Sequence, residues 1–463
     1  MTVHLRRTLF ISALSFVAAC GARAPYHAPP TPPAAVKNAD PALFVDQPYD
    51  PRWWRLFDDE ILEQLEDDAL RSNLDVRTAV ARVNQARAVF DDAVRERYPI
   101  VTVGAHVDRR EQVIPGFTEE PILTSTYRAG FDAFWEIDLF GRVQSAVRAA
   151  SATAASYSAS LDAVRVSVAA EVARNYFELR GLQQQLAVAE RSLANQQETL
   201  RLTRVRREGG VGEEQDVASA SARVAAIEAS FPPLRAAIAV RRHRLAVLGG
   251  RRPGELTVDL AARSYAPIAR ALPLGDPAAL LQRRPDVRAA ERNVAAAAAR
   301  EGVAAADLFP RVSISGVLGF LAGRGSMFGS ADSRAWAVTP ALSWAGFNLG
   351  SARARLRGAK AGSEEVVAAY ERTVLEALEE AENSLVAYGE QQQRLVKLAD
   401  QARASARAAA IARARYREGV ADFLALLDAE RTQLQAEDAV AQAESGVFTG
   451  VVAVYKAFGG IVQ

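Results

Sequence analysis

Cysteine is almost missing from this chain. Of 463 residues only Cys20 carries a thiol, so no disulfide can form within one molecule. Histidine is scarce as well. Past the first twenty residues only His27, His106 and His243 occur, too far apart and without a thiol beside them to give a metal site of ordinary ligand spacing. No phosphate-cradling glycine loop opens a helix in a βαβ setting. Charged runs such as Glu376 to Glu382 are interrupted by alanine and leucine, as on a solvated helix face. These absences argue against an enzyme and against a cofactor. The 56 basic and 55 acidic residues nearly cancel to a net charge of +1, which gives no reason to expect a nucleic-acid partner. Long apolar runs are also missing. After the leader no window offers the roughly 18 uninterrupted apolar residues of a transmembrane helix, so a chain that crosses a bilayer must do so by strands.

What is present begins with that leader. Residues 1–19 have a basic start (Arg6, Arg7), an apolar centre (Leu9 to Ala18) and small residues before Cys20, the layout of a secretory signal. Val17-Ala18-Ala19-Cys20 resembles a bacterial lipobox, which implies a covalent lipid on Cys20. Gly21 after it favours the outer membrane by the same resemblance; ordinary cleavage beside an incidental cysteine is the alternative. The stretch from Cys20 to about Arg55 is rich in proline and reads as an extended tether.

Four segments alternate with period two. Val101, Val103, Ala105 and Val107 are interleaved with Thr102, Gly104 and His106. Tyr127, Ala129, Phe131, Ala133 and Trp135 are interleaved with Thr126, Arg128, Gly130 and Asp132. Val312, Ile314, Gly316, Leu318 and Phe320 alternate with Arg311, Ser313 and Ser315, and Trp336, Val338, Leu342 and Trp344 with Ala337, Thr339 and Ser343. Each is a strand with one apolar face, of the roughly 9–11 residues that a tilted strand needs to span a bilayer. A soluble sandwich is the competing reading. Pro340 suggests a bulge.

The rest reads as long alanine-rich helices. Between Gly141 and Glu208 there is no proline, and Val172, Leu179, Leu186, Leu193 and Leu200 recur every seventh residue as a coiled-coil-like seam. Gly209-Gly210-Val211-Gly212 ends that helix, Glu213 and Glu214 suit a new N-terminus, and the return arm runs to about Leu248 with a kink expected at Pro232-Pro233. The layout recurs about 210 residues later: Leu74-Asp75-Val76-Arg77 matches Pro285-Asp286-Val287-Arg288, Tyr98-Pro99 matches Phe309-Pro310, Trp135 and Gly141 match Trp344 and Gly350, Gly210-Val211 matches Gly419-Val420, and Gly249-Gly250 matches Gly459-Gly460. Residues 56–265 and 266–463 are thus two repeats of helix, β-hairpin and long helical hairpin. Four strands enclose nothing, whereas three chains supply twelve strands and a closed barrel without edges. The expected fold is mainly α with a transmembrane β part: a homotrimeric 12-stranded barrel with helices projecting into the periplasm and strand loops at about 109–124 and 322–334 outside.

The chain resembles TolC-like outer membrane factors of the lipoprotein, NodT-type branch. The matching residues are Trp53-Trp54-Arg55-Leu56-Phe57-Asp58-Asp59, Trp135 to Arg142, Leu280 to Glu291 with its Arg-Arg-Pro-Asp core, Tyr416 to Val420, Leu427-Asp428-Ala429 and Tyr455 to Gly460. The resemblance implies a periplasmic helical barrel below the β-barrel, docked to a periplasmic adaptor and an inner-membrane pump, and conducting small toxic compounds outward. It also implies a periplasmic gate at Leu424 and Asp428, with Arg415 and Tyr416 as latch residues. The competing local reading pairs Asp428 with Arg431 at helical spacing. The turns Gly209, Gly210, Val211, Gly212 and Gly419, Val420, Ala421, Asp422 are candidate adaptor contacts, although glycine-rich tips also follow from helix termination alone. A duct for one-step polypeptide secretion shares this architecture. A lipid-anchored periplasmic coiled-coil scaffold without a pore is the remaining alternative.

Overall fold

The computed structural model describes residues 36–48, 50–256, 258–263, 271–276 and 279–460; Cys20, the leader and the first part of the tether lie outside them. In chain order the elements are β1 (Phe44–Val45), a 3-10 turn (Trp53–Phe57), α1 (Glu60–Ser72), α2 (Leu74–Arg95), β2 (Ile100–Gln112), β3 (Ile122–Ile137), α3 (Arg142–Glu208), α4 (Glu214–Glu228), α5 (Phe231–Leu248), β4 (Leu272–Pro273), a single turn (Leu280–Arg283), α6 (Pro285–Ala306), β5 (Arg311–Ala322), β6 (Arg334–Ser343), α7 (Leu349–Arg417) and α8 (Phe423–Ala457). With 67 and 69 residues, α3 and α7 are each about 100 Å long. Two compact units result, and each draws on both sequence repeats.

The first unit comprises Arg82–Ser158 and Ala289–Arg372 and holds the antiparallel sheet, in the order β2-β3-β5-β6. Its register puts the four apolar series on one face: Val103, Phe131, Leu318 and Trp336 lie side by side on one rung. The neighbouring rung, on the other face, is Gly104, Gly130, Gly319 and Ala335. A methyl group at Gly130 would collide with the carbonyl of Leu318, and one at Gly319 with that of Ala129, so β3 and β5 approach there as only glycine permits. The first loop is shorter than expected because the ladder continues to Gln112 opposite Ile122. Pro340 makes no bulge; it sits in unbroken register opposite Ile314. Within the chain β6 is the outermost strand of the sheet, the position where proline is most readily accommodated.

The corner from β3 to α3 explains the Trp135 to Arg142 motif. Trp135 Nε1 donates to the carbonyl of Arg97 at 3.0 Å, Glu136 takes a two-pronged bond from Arg142 at 2.7 and 2.8 Å, and Asp138 accepts the amide of Gln144 in the first turn of α3 at 2.7 Å. In the second repeat Trp344 Nε1 donates to the carbonyl of Leu308 at 3.1 Å. Since Arg97 and Leu308 each precede the matched Tyr98-Pro99 and Phe309-Pro310, the duplication extends to hydrogen bonds.

The second unit is helical and includes the N-terminal described segment. Here the tether reading needs correction. Phe44–Val45 pairs in parallel with Leu272–Pro273, the main-chain amides of Lys37 and Asn38 donate to Glu382, and Trp53 and Trp54 are buried. Three large aromatic side chains make docking favourable, by about 2–3 kcal/mol each on burial, so the segment packs from Lys37 onward. Trp53 stacks on Tyr455 at 5.4 Å between ring centroids, and Phe57 contacts Phe177, which stacks on Phe448 at 5.0 Å. Asp59 caps α1 by accepting the amides of Ile61 and Leu62, and its other oxygen accepts the hydroxyl of Tyr176. Of the sevenfold seam, Val172, Leu179 and Leu200 are buried, whereas Leu186 and Leu193 are half-buried. The expected kink is a full break between Glu228 and Phe231, with the prolines in the first turn of α5, where their missing amides are harmless. The glycines that end α5 and α8 match one position away from the sequence pairing: Gly250 and Gly459 hold the positive φ, +69° and +74°. Gly249 therefore corresponds to Phe458.

Candidate functional site: the hairpin tips

Both long helices end in the same way. Gly210 donates to the carbonyl of Arg207 and Val211 to that of Arg206, both at 3.0 Å; Gly419 donates to Tyr416 at 3.1 Å and Val420 to Arg415 at 2.9 Å. This is the six-to-one and five-to-two pattern of a left-handed helix stop. Gly210 and Gly419 supply the required φ of +76° and +79°, and Val211 and Val420 are left 69% and 63% exposed. Asp422 caps α8 by accepting the amide of Ala425 at 2.8 Å. Glu213 provides no such cap; instead Glu214 pairs with Arg207 at 2.6 Å.

Beneath the two turns lies a small apolar core of Leu200, Ala220, Tyr416, Phe423 and Leu426. Tyr416 is central to it. Its ring meets Phe423 at 5.9 Å, carries the guanidinium of Arg206 at 4.7 Å, and its hydroxyl donates to Thr203 at 3.3 Å. Arg206 also donates to the carbonyl of Tyr416 at 2.7 Å, so one arginine of the first hairpin holds both the ring and the main chain of a residue of the second.

Along α8 the side chains divide by helical period. Phe423, Leu426 and Glu430 point inward and are buried, while Leu424 is 61% exposed and Asp428, one turn on, presents a side chain 66% exposed. The two gate candidates therefore share an open face. The latch candidates do not join them: Arg415 is exposed without an ion pair to Asp428 among the described residues, and Tyr416 is buried. Asp428 instead accepts Arg431 at 2.6 Å.

A polar knot absent from the sequence reading lies just above. Glu430 accepts Arg413 Nε at 3.0 Å and the hydroxyl of Thr199 at 3.1 Å. Burial raises the Glu430 carboxyl above its ordinary range against the opposing pull of Arg413, and burial followed by the like charge of Arg431 lowers Arg223. The available signal was the spacing of Gln196, Thr199 and Thr203, three buried polar residues on one helical face of α3.

Long helical hairpins with open tips, joined in one chain to strands that expose an apolar face, define an outer-membrane channel subunit. The chain matches the profile of the outer membrane efflux protein family over residues 65–251 and 277–460, and it belongs to that family. It is 31% identical to the antibiotic efflux pump outer membrane protein ArpC of Pseudomonas putida, over 94% of this chain and 91% of that protein. It is 27% identical to nodulation protein T of Rhizobium leguminosarum bv. trifolii, over 90% of each. Among solved structures, the outer-membrane channel OprN superposes with a TM-score of 0.93 at 48% identity, over 95% of this chain and 99% of that one.

Proposed function

We propose that three copies of this chain close a 12-stranded barrel in the outer membrane and form the exit duct of a tripartite efflux system. A periplasmic adaptor and an inner-membrane pump would deliver drugs or other small toxic compounds, which pass outward without covalent chemistry. The observation that carries this reading is the sheet. Its apolar face runs from Tyr127 to Ile137 along β3, about 34 Å of strand. At a barrel tilt near 40° that gives a band about 25 Å tall, the height of an outer-membrane apolar belt. Among the described residues β2 and β6 each have one unpaired edge. In hydrocarbon such edges are untenable unless another strand meets them, and β6 of one subunit against β2 of the next satisfies both.

In this assembly Leu424 and Asp428 form rings at the periplasmic end, three carboxylates favouring cations, and the Val211 and Val420 turns meet the adaptor. A lipid on Cys20 adds a second attachment to the membrane. The test is intracellular accumulation of a fluorescent dye and a panel of antibiotics in cells with and without the gene. Higher accumulation on deletion, reversed by the wild-type gene, is the expected result. Unchanged accumulation together with a missing secreted polypeptide would overturn it in favour of secretion.

A further inference from the structure

We propose that the loop end of the apolar sheet face binds the phosphorylated headgroup of an outer-leaflet glycolipid through Arg109, Arg324 and Arg334. This rests on the membrane-facing reading of that face.

The arginines occupy equivalent places. On β2 the apolar series Val101, Val103, Ala105, Val107 ends on Arg109. On β5 it runs through Phe320 and Ala322, and the next alternate position is Arg324. On β6, followed from Leu342 through Pro340, Val338 and Trp336, it ends on Arg334. All three are exposed, and none makes an ion pair among the described residues. Arg109 stands opposite Ser125. Extending the β3–β5 register two rungs past its last pair, Tyr127 and Ala322, puts Arg324 on the other side of Ser125, about 10 Å from Arg109 at the Cα level.

Two contrasts separate this rim from ordinary surface charge. On the opposite, polar face the arginines are neutralised within the chain: Arg110 by Asp108, Arg128 by Asp132, and Arg311 by Asp307. At the far end of the apolar face the positions are Trp135, Ile137, Val312, Leu342 and Trp344, with no cation. Unpaired positive charge is thus confined to one end of one face. Four carboxylates, Glu111, Glu119, Glu120 and Asp332, lie on the strand end and loops beside the rim, and none of them pairs with an arginine among the described residues.

Strand loops 113–121 and 323–333 lie at the same end, and in outer-membrane barrels the longer loops face outside. An arginine there can lay its methylenes along acyl chains and raise its guanidinium to headgroup level. That planar fork matches phosphate with two parallel bonds. The occupant is accordingly a phosphorylated lipid rather than a neutral one.

Fluorescent lipid A in bisphosphorylated and dephosphorylated forms, titrated into the detergent-purified full-length protein, tests the proposal. The wild type should bind the phosphorylated form at least about tenfold more tightly, and R109Q/R324Q/R334Q should lose that preference. R128Q should keep it, and excess inorganic phosphate should not displace the lipid. Equal wild-type affinity for both lipids, a triple variant that retains the preference, or displacement by inorganic phosphate would each overturn the proposal. The wild-type comparison stands even if the triple variant fails to assemble. Channel activity in phosphatidylcholine bilayers separates the premises: no channels would overturn the membrane reading, whereas channels without lipid preference would overturn only the rim.

Discussion

Asn73 and Arg284 hold equivalent helix ends in the two repeats. The Asn73 amide donates to the carbonyl of Leu248 at 3.0 Å, and Arg284 Nη1 donates to the carbonyl of Ala457 at 2.8 Å; each residue precedes the second helix of its own repeat and grips the last residue of the repeat's final helix. Asn73 also accepts the amides of Asp75 and Val76. Arg284 uses its charge instead, pairing with Asp286 and Glu380 at 2.7 and 2.8 Å, and Glu380 in turn pairs with Lys456. This is the role of the Arg-Arg-Pro-Asp sequence: it fastens a helix end.

Arg284→Ala leaves the buried carbonyl of Ala457 without this donor and takes one partner each from Asp286 and Glu380, and should destabilise the protein by about 3 kcal/mol. Asn73→Ala should cost about 1 kcal/mol, as for a lost helix cap. Urea unfolding of the detergent-solubilised protein, followed by circular dichroism, measures both. A larger loss for Asn73 than for Arg284 would contradict the assignment.

Glu66 predicts the pH dependence of stability. It is fully buried on α1, neither carboxyl oxygen has a well-formed hydrogen bond, and burial, reinforced by Asp67, raises its pKa well above the ordinary value against a weak opposing contribution from the main chain of Ala173. The folded state holds this proton more tightly than the unfolded chain, so the stabilisation is complete below the ordinary carboxylate pKa and is lost as pH rises through the raised one. The melting temperature should fall as pH rises above the ordinary carboxylate range, and Glu66→Gln should flatten that decline. Identical profiles for wild type and variant would remove Glu66 as the cause.

At the proposed gate, Leu424→Ala combined with Asp428→Ala should raise single-channel conductance in planar bilayers, because both side chains lie on the open face of α8. Asp428→Asn alone should weaken cation preference with little change in pore size. Wild-type conductance in the double variant would dismiss the gate assignment.

Tyr416 is expected to act differently from Leu424 although both belong to the tip. Tyr416→Ala removes the ring that holds Arg206 and Phe423, and large-to-small changes of this kind cost about 3–5 kcal/mol. The result should be loosened hairpins and raised proteolysis near Gly209 and Gly419. Cleavage unchanged from wild type would show that the tip core does not depend on the ring.

For the turns, Val211→Asp and Val420→Asp should weaken binding to the adaptor, measured by pull-down or surface plasmon resonance, while leaving conductance intact. Gly419→Ala should cost about 1–2 kcal/mol because an alanine is strained at that φ. Undiminished adaptor binding in both valine variants would move the docking surface elsewhere.

Much of this architecture was legible because its signals are local. Period-two alternation places Val103, Phe131, Leu318 and Trp336 on one face without knowledge of their neighbours, and a glycine after a long helix announces the stop at Gly210 or Gly419. Contacts across more than 200 residues are not written that way. Nothing near Tyr416 discloses that its ring is covered by Arg206, and nothing near Glu430 names Thr199. Proline composition likewise hid the docking of Phe44, Trp53 and Trp54, since it reports backbone stiffness and not where an aromatic ring finds a cavity. Asp428 was open between a lumenal ring and an ion pair with Arg431 because helical spacing permits both, and the single chain displays the pair.

The two free edges of β2 and β6 also bear on the subunit before it reaches its partners. A lone chain carries a ready pairing template on each side of a greasy sheet, and any strand of suitable register can attach to it. Such a subunit is adhesive while in transit, so its safe delivery calls for an escort that masks the edges until the proposed barrel closes. In the proposed trimer, one barrel shared among three chains turns biogenesis into a race between correct company and aggregation.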